Sequence, residues 1–75
     1  MSPRAEDWLA KAEADFGSMN WEMQAPKPNF DAVVFHAQQC VEKLMKGVLE
    51  RCGASIERTH DLNLLAHQVQ AVYKA

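Results

Sequence analysis

Apolar side chains recur three or four residues apart in three separate stretches of this chain, and that spacing directs it into amphipathic helices rather than strands. The first stripe is Trp8, Ala12, Phe16, Met19 and Met23, which runs to about Gln24. Ser2 and Pro3 suit its cap and first helical position, and Glu6 and Asp7 favour the positive end of its dipole. Pro26 and Pro28 end it, because a proline disfavours helix in the residue before it.

A second helix is expected from near Asn29 to Cys52, with Gly53 free to take a left-handed stop. Val34, Ala37, Val41, Leu44 and Val48 form its stripe, with Phe30, Met45 and Cys52 beside them. The alternation of three and four is that of an antiparallel helical pair or bundle. Glu42 with Lys46, and Lys46 with Glu50, are four apart and read as pairs on the opposite, solvated face. Gly47 costs about 1 kcal/mol against alanine inside a helix, so it marks the close approach of another helix.

A third helix follows, with Thr59 as its cap, Asp61 in its first turn and a stripe of Leu62, Leu65, Val69 and Val72. The predicted helices span about 4–24, 30–52 and 60–74 of one domain covering residues 1–75, and the fold class is all-α, an up-and-down bundle. A domain of 75 residues buries only about 60% of its unfolded surface. A partner surface is therefore expected, with Trp8, Phe16 and Met45 as interface candidates.

Charge and cysteine usage narrow the function classes. Eight basic against ten acidic residues give a net charge of −2, which argues against holding DNA by phosphate neutralisation. Cys40 and Cys52 lie on one helix about 18 Å apart, too far for a disulfide. With no cysteine framework, no secretory signal and no run of about 18 apolar residues, a soluble cytoplasmic protein is expected.

The residues offer little for metal or cofactor chemistry. His36, His60 and His67 include no pair at the four-residue spacing of two zinc ligands. His36 and Cys40 do have that spacing, yet no further ligands cluster with them, so Cys40 reads as an ordinary buried residue. Gly17, Gly47 and Gly53 are scattered and build no phosphate loop, and no cofactor is expected.

The segment Arg58-Thr59-His60-Asp61-Leu62 is the most suggestive, because it gathers a guanidinium, a hydroxyl and an imidazole at a helix start, where anions bind. Its structural alternative is a corner in which Thr59 and Asp61 cap the helix while His60 packs or hydrogen-bonds. Lys43, Lys46, Arg58 and His60 are accordingly the candidates for nucleotide or phosphate binding, although Glu42 and Glu50 interrupt the basic strip.

The run Ala37-Gln38-Gln39-Cys40-Val41-Glu42-Lys43-Leu44-Met45-Lys46-Gly47-Val48-Leu49, then Gly53, then Arg58-Thr59-His60-Asp61-Leu62 and Leu65, resembles the HEPN domain. The name stands for higher eukaryotes and prokaryotes nucleotide-binding. The opening Trp8-Leu9-x-x-Ala12-x-x-Asp15-Phe16 is similar to the first helix of that family, so the resemblance spans about residues 5 to 70. It implies a bundle of four or five helices that usually dimerises and is often encoded beside a small nucleotidyltransferase as a toxin–antitoxin pair. Many members are ribonucleases that use an arginine and a histidine four to six residues apart.

Arg51 and His60 have eight residues between them and Arg58 and His60 have one, so neither pair fits and no catalytic residue is carried across. The later helices of the family, where that motif commonly falls, have no counterpart in these 75 residues, so the chain reads either as a shortened member or as the front part of a longer one. The resemblance therefore implies a helical interaction module, forming a homodimer or binding a nucleotidyltransferase. The alternative is a nucleotide-binding or RNA-cleaving enzyme whose motif is not in this chain.

Overall fold

The computed structural model describes residues 4–56 and 59–73. It contains three helices, α1 (Ala5–Met23), α2 (Phe30–Arg51) and α3 (Leu62–Tyr73), and no strand among the described residues. The fold is all-α.

Local chemistry sets the helix ends. Ser2 and Pro3 lie outside the described residues, and the start of α1 is held by the Arg4 N–H donating to the Asp7 carboxylate at 3.0 Å. Asn29 caps α2, its side-chain oxygen accepting from Ala32 N–H at 3.2 Å, while its own N–H donates to Glu22 at 2.9 Å. The second bond ties the end of α1 to the start of α2, so the short turn folds the two helices back on each other. At the far end Gly53 takes a left-handed φ of 72°, and Ala54 N–H reaches back to the Leu49 carbonyl at 2.9 Å.

The helices α1 and α2 run antiparallel, since Ala5 and Trp8 meet Gly47 while Asp15 meets His36 and Lys43. Gly47 is the crossing point: a Cβ there would stand 3.3 Å from Trp8 Cβ. Among the described residues the third helix packs on α2 and not on α1. The apolar core is small, with Ala12, Leu49 and Leu65 buried.

The two faces of α2 are used in the opposite sense to that expected from hydropathy. Glu42 and Lys46, read as members of a solvated charged face, are 4% and 8% exposed. Val34, Val41 and Leu44 of the apolar stripe are 53%, 45% and 43% exposed, and Phe30 beside them is 64% exposed. The cause is geometric. Each residue advances about 100° around a helix, so Gly47, His36 and Lys43 point at α1, and Glu42 points at α3. The sector carrying Phe30, Val34, Val41 and Leu44 is then left uncovered by the helices of the described residues.

Candidate functional site

The sequence candidates separate into two side-chain clusters, one at each seam of the fold. Between α2 and α3, Glu42 is the hub. One of its carboxylate oxygens meets His60 Nδ1 at 2.6 Å and the other lies 3.6 Å from Lys46 Nζ. Lys46 Nζ also stands 5.4 Å from the centroid of the Trp8 ring, whose other cationic neighbour is Lys11 at 4.9 Å. One buried ion pair thus touches all three parts of the chain: α1 through Trp8, α2 itself, and the lead into α3 through His60.

Glu42 fixes how His60 presents itself. A carboxylate oxygen of Glu42 lies 2.6 Å from His60 Nδ1 and anchors the ring at that nitrogen. The imidazole is 82% exposed, whereas the Glu42 side chain is 5% exposed. Gln38, Gln39 and Leu62 line, with these two, a depression of about 160 Å³.

The corner before α3 is closed by its own side chains. Thr59 Oγ1 accepts from Asp61 N–H at 3.0 Å, and Asp61 Oδ1 accepts from Asn63 N–H at 3.0 Å and Leu64 N–H at 3.3 Å. Asp61 therefore stands at the cap, α3 begins at Leu62, and these two amides have an internal carboxylate as their partner. Arg58 lies outside the described residues.

Between α1 and α2, Asp15 accepts from Lys43 and lies 3.2 Å from His36 Nδ1. Burial pushes the Asp15 carboxyl up, but the hydrogen bonds and charges of Lys43 and His36 outweigh it and hold the group below its ordinary value of 3.8. Of the four phosphate-binding candidates, the structure brings Lys46 and His60 together on Glu42 and sets Lys43 apart on Asp15. Among the described residues, no three His, Cys, Asp or Glu side chains group as metal ligands, and no helix is long and apolar enough to cross a membrane.

A third feature is an open apolar face. Leu9 and Phe16 of α1 are 48% and 50% exposed and lie on the side of α1 nearest the uncovered sector of α2. Leu9, Leu44, Gly47 and Val48 line an apolar cavity of about 230 Å³, with Arg51 and Cys52 at its end. Of the interface candidates, Phe16 belongs to this face, Trp8 is turned inward onto Lys46, and Met45 is half-buried.

A family model of the HEPN domain matches residues 5–75. The chain belongs to the HEPN family. No match was found among curated proteins or among solved structures. In this HEPN chain the segment around Glu42, Lys46 and Gly47 and the His60-Asp61-Leu62 corner converge on one buried hub. The contact of Asp15 with His36 was not legible in the sequence, because it crosses 21 positions and leaves no local spacing.

Proposed function

We propose that this HEPN chain is a helical interaction module that acts in the cytoplasm, homodimerising, partnering a minimal nucleotidyltransferase in a toxin–antitoxin type of pair, or both. The observation that carries this reading is the open α1–α2 face, on which Leu9, Phe16, Phe30, Val34, Val41 and Leu44 are all more than two-fifths exposed. Such a contiguous apolar patch is characteristic of an association surface. The two cysteines are free, as a reducing compartment requires. Size-exclusion chromatography with light scattering at micromolar concentration, alone and with a minimal nucleotidyltransferase, tests the proposal. A dimer or a stable complex is expected. A folded monomer that ignores the nucleotidyltransferase refutes it.

A second reading, chemistry on a nucleotide or RNA, is favoured by one observation: His60 is held at Nδ1 by a buried carboxylate while its side chain is 82% exposed. Incubation with RNA beside a His60→Ala control decides it. Cleavage lost in the variant supports the reading, and equal or absent cleavage removes His60 from it.

A further inference from the structure

The two helical seams are built from opposite materials. The α1–α2 seam is interlocked: a Cβ on Gly47 would stand 3.3 Å from Trp8 Cβ, Asp15 reaches both His36 and Lys43, and Glu22 accepts from Asn29 N–H at 2.9 Å. None of these contacts involves α3. The α2–α3 seam centres instead on a charged pair, Glu42 and Lys46, whose side chains are 5% and 10% exposed, and on one buried apolar residue of α3, Leu65.

Water can replace much of what this second seam supplies. Burying two charges forfeits their hydration, and that hydration is regained when water reaches them again. Buried apolar surface has no such return. His60, 82% exposed, lies at the edge of the seam and exchanges its 2.6 Å contact with Glu42 for water without further rearrangement. Gln68, three residues after Leu65 and therefore on the same side of α3, has its Oε1 buried with no hydrogen-bond partner among the described residues. A buried acceptor without a donor disfavours the docked state, and release hydrates it.

The helix ends are also complete without the seam. Asp61 at the start of α3 takes the Asn63 and Leu64 amides on its own carboxylate, and Thr59 takes the Asp61 amide. The end of α2 is closed by Ala54 N–H on the Leu49 carbonyl, after the left-handed turn at Gly53. Separating α3 from α2 therefore orphans neither of these ends.

We propose that α3 is a releasable strap, latched to α2 by His60 on Glu42, and that its release presents Glu42 and Lys46 to solvent while the α1–α2 hairpin stays folded. Release is a local opening, at a fraction of the free energy of global unfolding. A helix of twelve residues is marginal in water by itself, so α3 unwinds as it leaves. A partner that recognises the Glu42–Lys46 face meets it only in the released state, and its affinity is scaled by the released fraction. The opening needs neither a second copy nor a nucleotidyltransferase, so it stands or falls apart from the interaction-module reading.

Native-state amide exchange of the full chain, at urea concentrations below the unfolding transition, tests it. Amides of α3 are expected to exchange through an opening with a shallower urea dependence than those of α1 and α2, because less surface is exposed. Ala12→Gly weakens the hairpin at a side chain 2% exposed; it should speed α1 and α2 exchange about five-fold and leave α3 unchanged, since the hairpin is intact before and after release. His60→Ala removes the latch and should speed α3 exchange about ten-fold, as loss of one hydrogen bond to a charged group does. Gln68→Met keeps the length of the side chain without the unpartnered oxygen and should slow α3 exchange several-fold. Equal urea dependence in all three helices, or an Ala12→Gly variant that speeds α3 as much as α1 and α2, overturns the strap. Unchanged α3 exchange in His60→Ala overturns the latch, and α3 exchange no slower in Gln68→Met overturns the role of the buried oxygen. If His60→Ala fails to fold, the urea dependence of the parent and the Ala12→Gly variant decide.

Discussion

Replacing Glu42 with alanine should cost far more than its place in an i, i+4 helical pair suggests. On an exposed helix such a pair contributes about 0.3–0.5 kcal/mol. Here the side chains of Lys46 and Glu42 are 10% and 5% exposed, so Glu42→Ala leaves an ammonium group buried without its counter-charge. Removing one member of a buried pair costs about 3–5 kcal/mol. The lower end applies, because Lys46 keeps the Trp8 ring and His60, 82% exposed, regains water when it loses Glu42. At about 4 °C per kcal/mol for a domain of this size, a loss of ~3 kcal/mol lowers Tm by about 12 °C or more. Thermal and urea unfolding followed by circular dichroism, at one fixed protein concentration, would read it.

The companion variant separates charge from packing. Glu42→Leu with Lys46→Met removes both charges and keeps apolar volume, and such replacements of buried pairs are commonly neutral or stabilising. Stability should return to that of the parent or exceed it. A Glu42→Ala variant within about 0.5 kcal/mol of the parent would place the pair in the energetic class of surface ion pairs. That result, or a double variant as unstable as the single one, would refute the reasoning.

Three further outcomes follow from the same structure. Leu65→Ala, at a side chain with no exposed surface, should cost about 2–5 kcal/mol and increase amide hydrogen exchange in α3 before α1 and α2, since among the described residues α3 packs on α2 and not on α1. Gly47→Val places side-chain bulk where even a Cβ stands 3.3 Å from Trp8 Cβ, an atom fixed to the backbone of α1; a loss of about 1–3 kcal/mol in urea unfolding is expected. Asp15, held below its ordinary 3.8 in the folded state, contributes stability that is present above that value and lost as pH falls through the lowered one. Asp15→Asn should therefore flatten the acid side of the stability profile below about pH 3.8, and a variant whose acid loss parallels that of the parent would count against the cluster.

Much of the backbone was legible in the residues, and the reasons are local. Pro26 and Pro28, Asn29 before Phe30, and Gly53 act within a turn of their own position, so helix ends near them can be read from sequence. Gly47 was legible for a different reason: a glycine inside a helix carries a propensity cost that close packing against Trp8 explains. What could not be read was which sector of α2 faces inward. Hydropathy assigns Val34, Val41 and Leu44 to the interior, but among the described residues α1 and α3 cover the sectors of Gly47 and Glu42 instead. The His36–Asp15 and His60–Glu42 contacts were hidden for the same reason, because each is created by helix packing rather than by spacing.

The reversed use of α2 links the buried hub to the open face. A long apolar stripe and a charged stripe compete for the interior of a small bundle, and burying the apolar one would normally win by about 25 cal/mol per Å². Glu42 and Lys46 can sit inside here because both meet partners, Glu42 with His60 and Lys46, and Lys46 with the face of Trp8. With those demands met, the apolar stripe is left to be covered from outside. Stability of the single chain and its tendency to associate are then set by opposite faces of one helix. Changes at Glu42 or Lys46 should therefore act on folding, and changes at Val41 or Leu44 on assembly, with little exchange between the two.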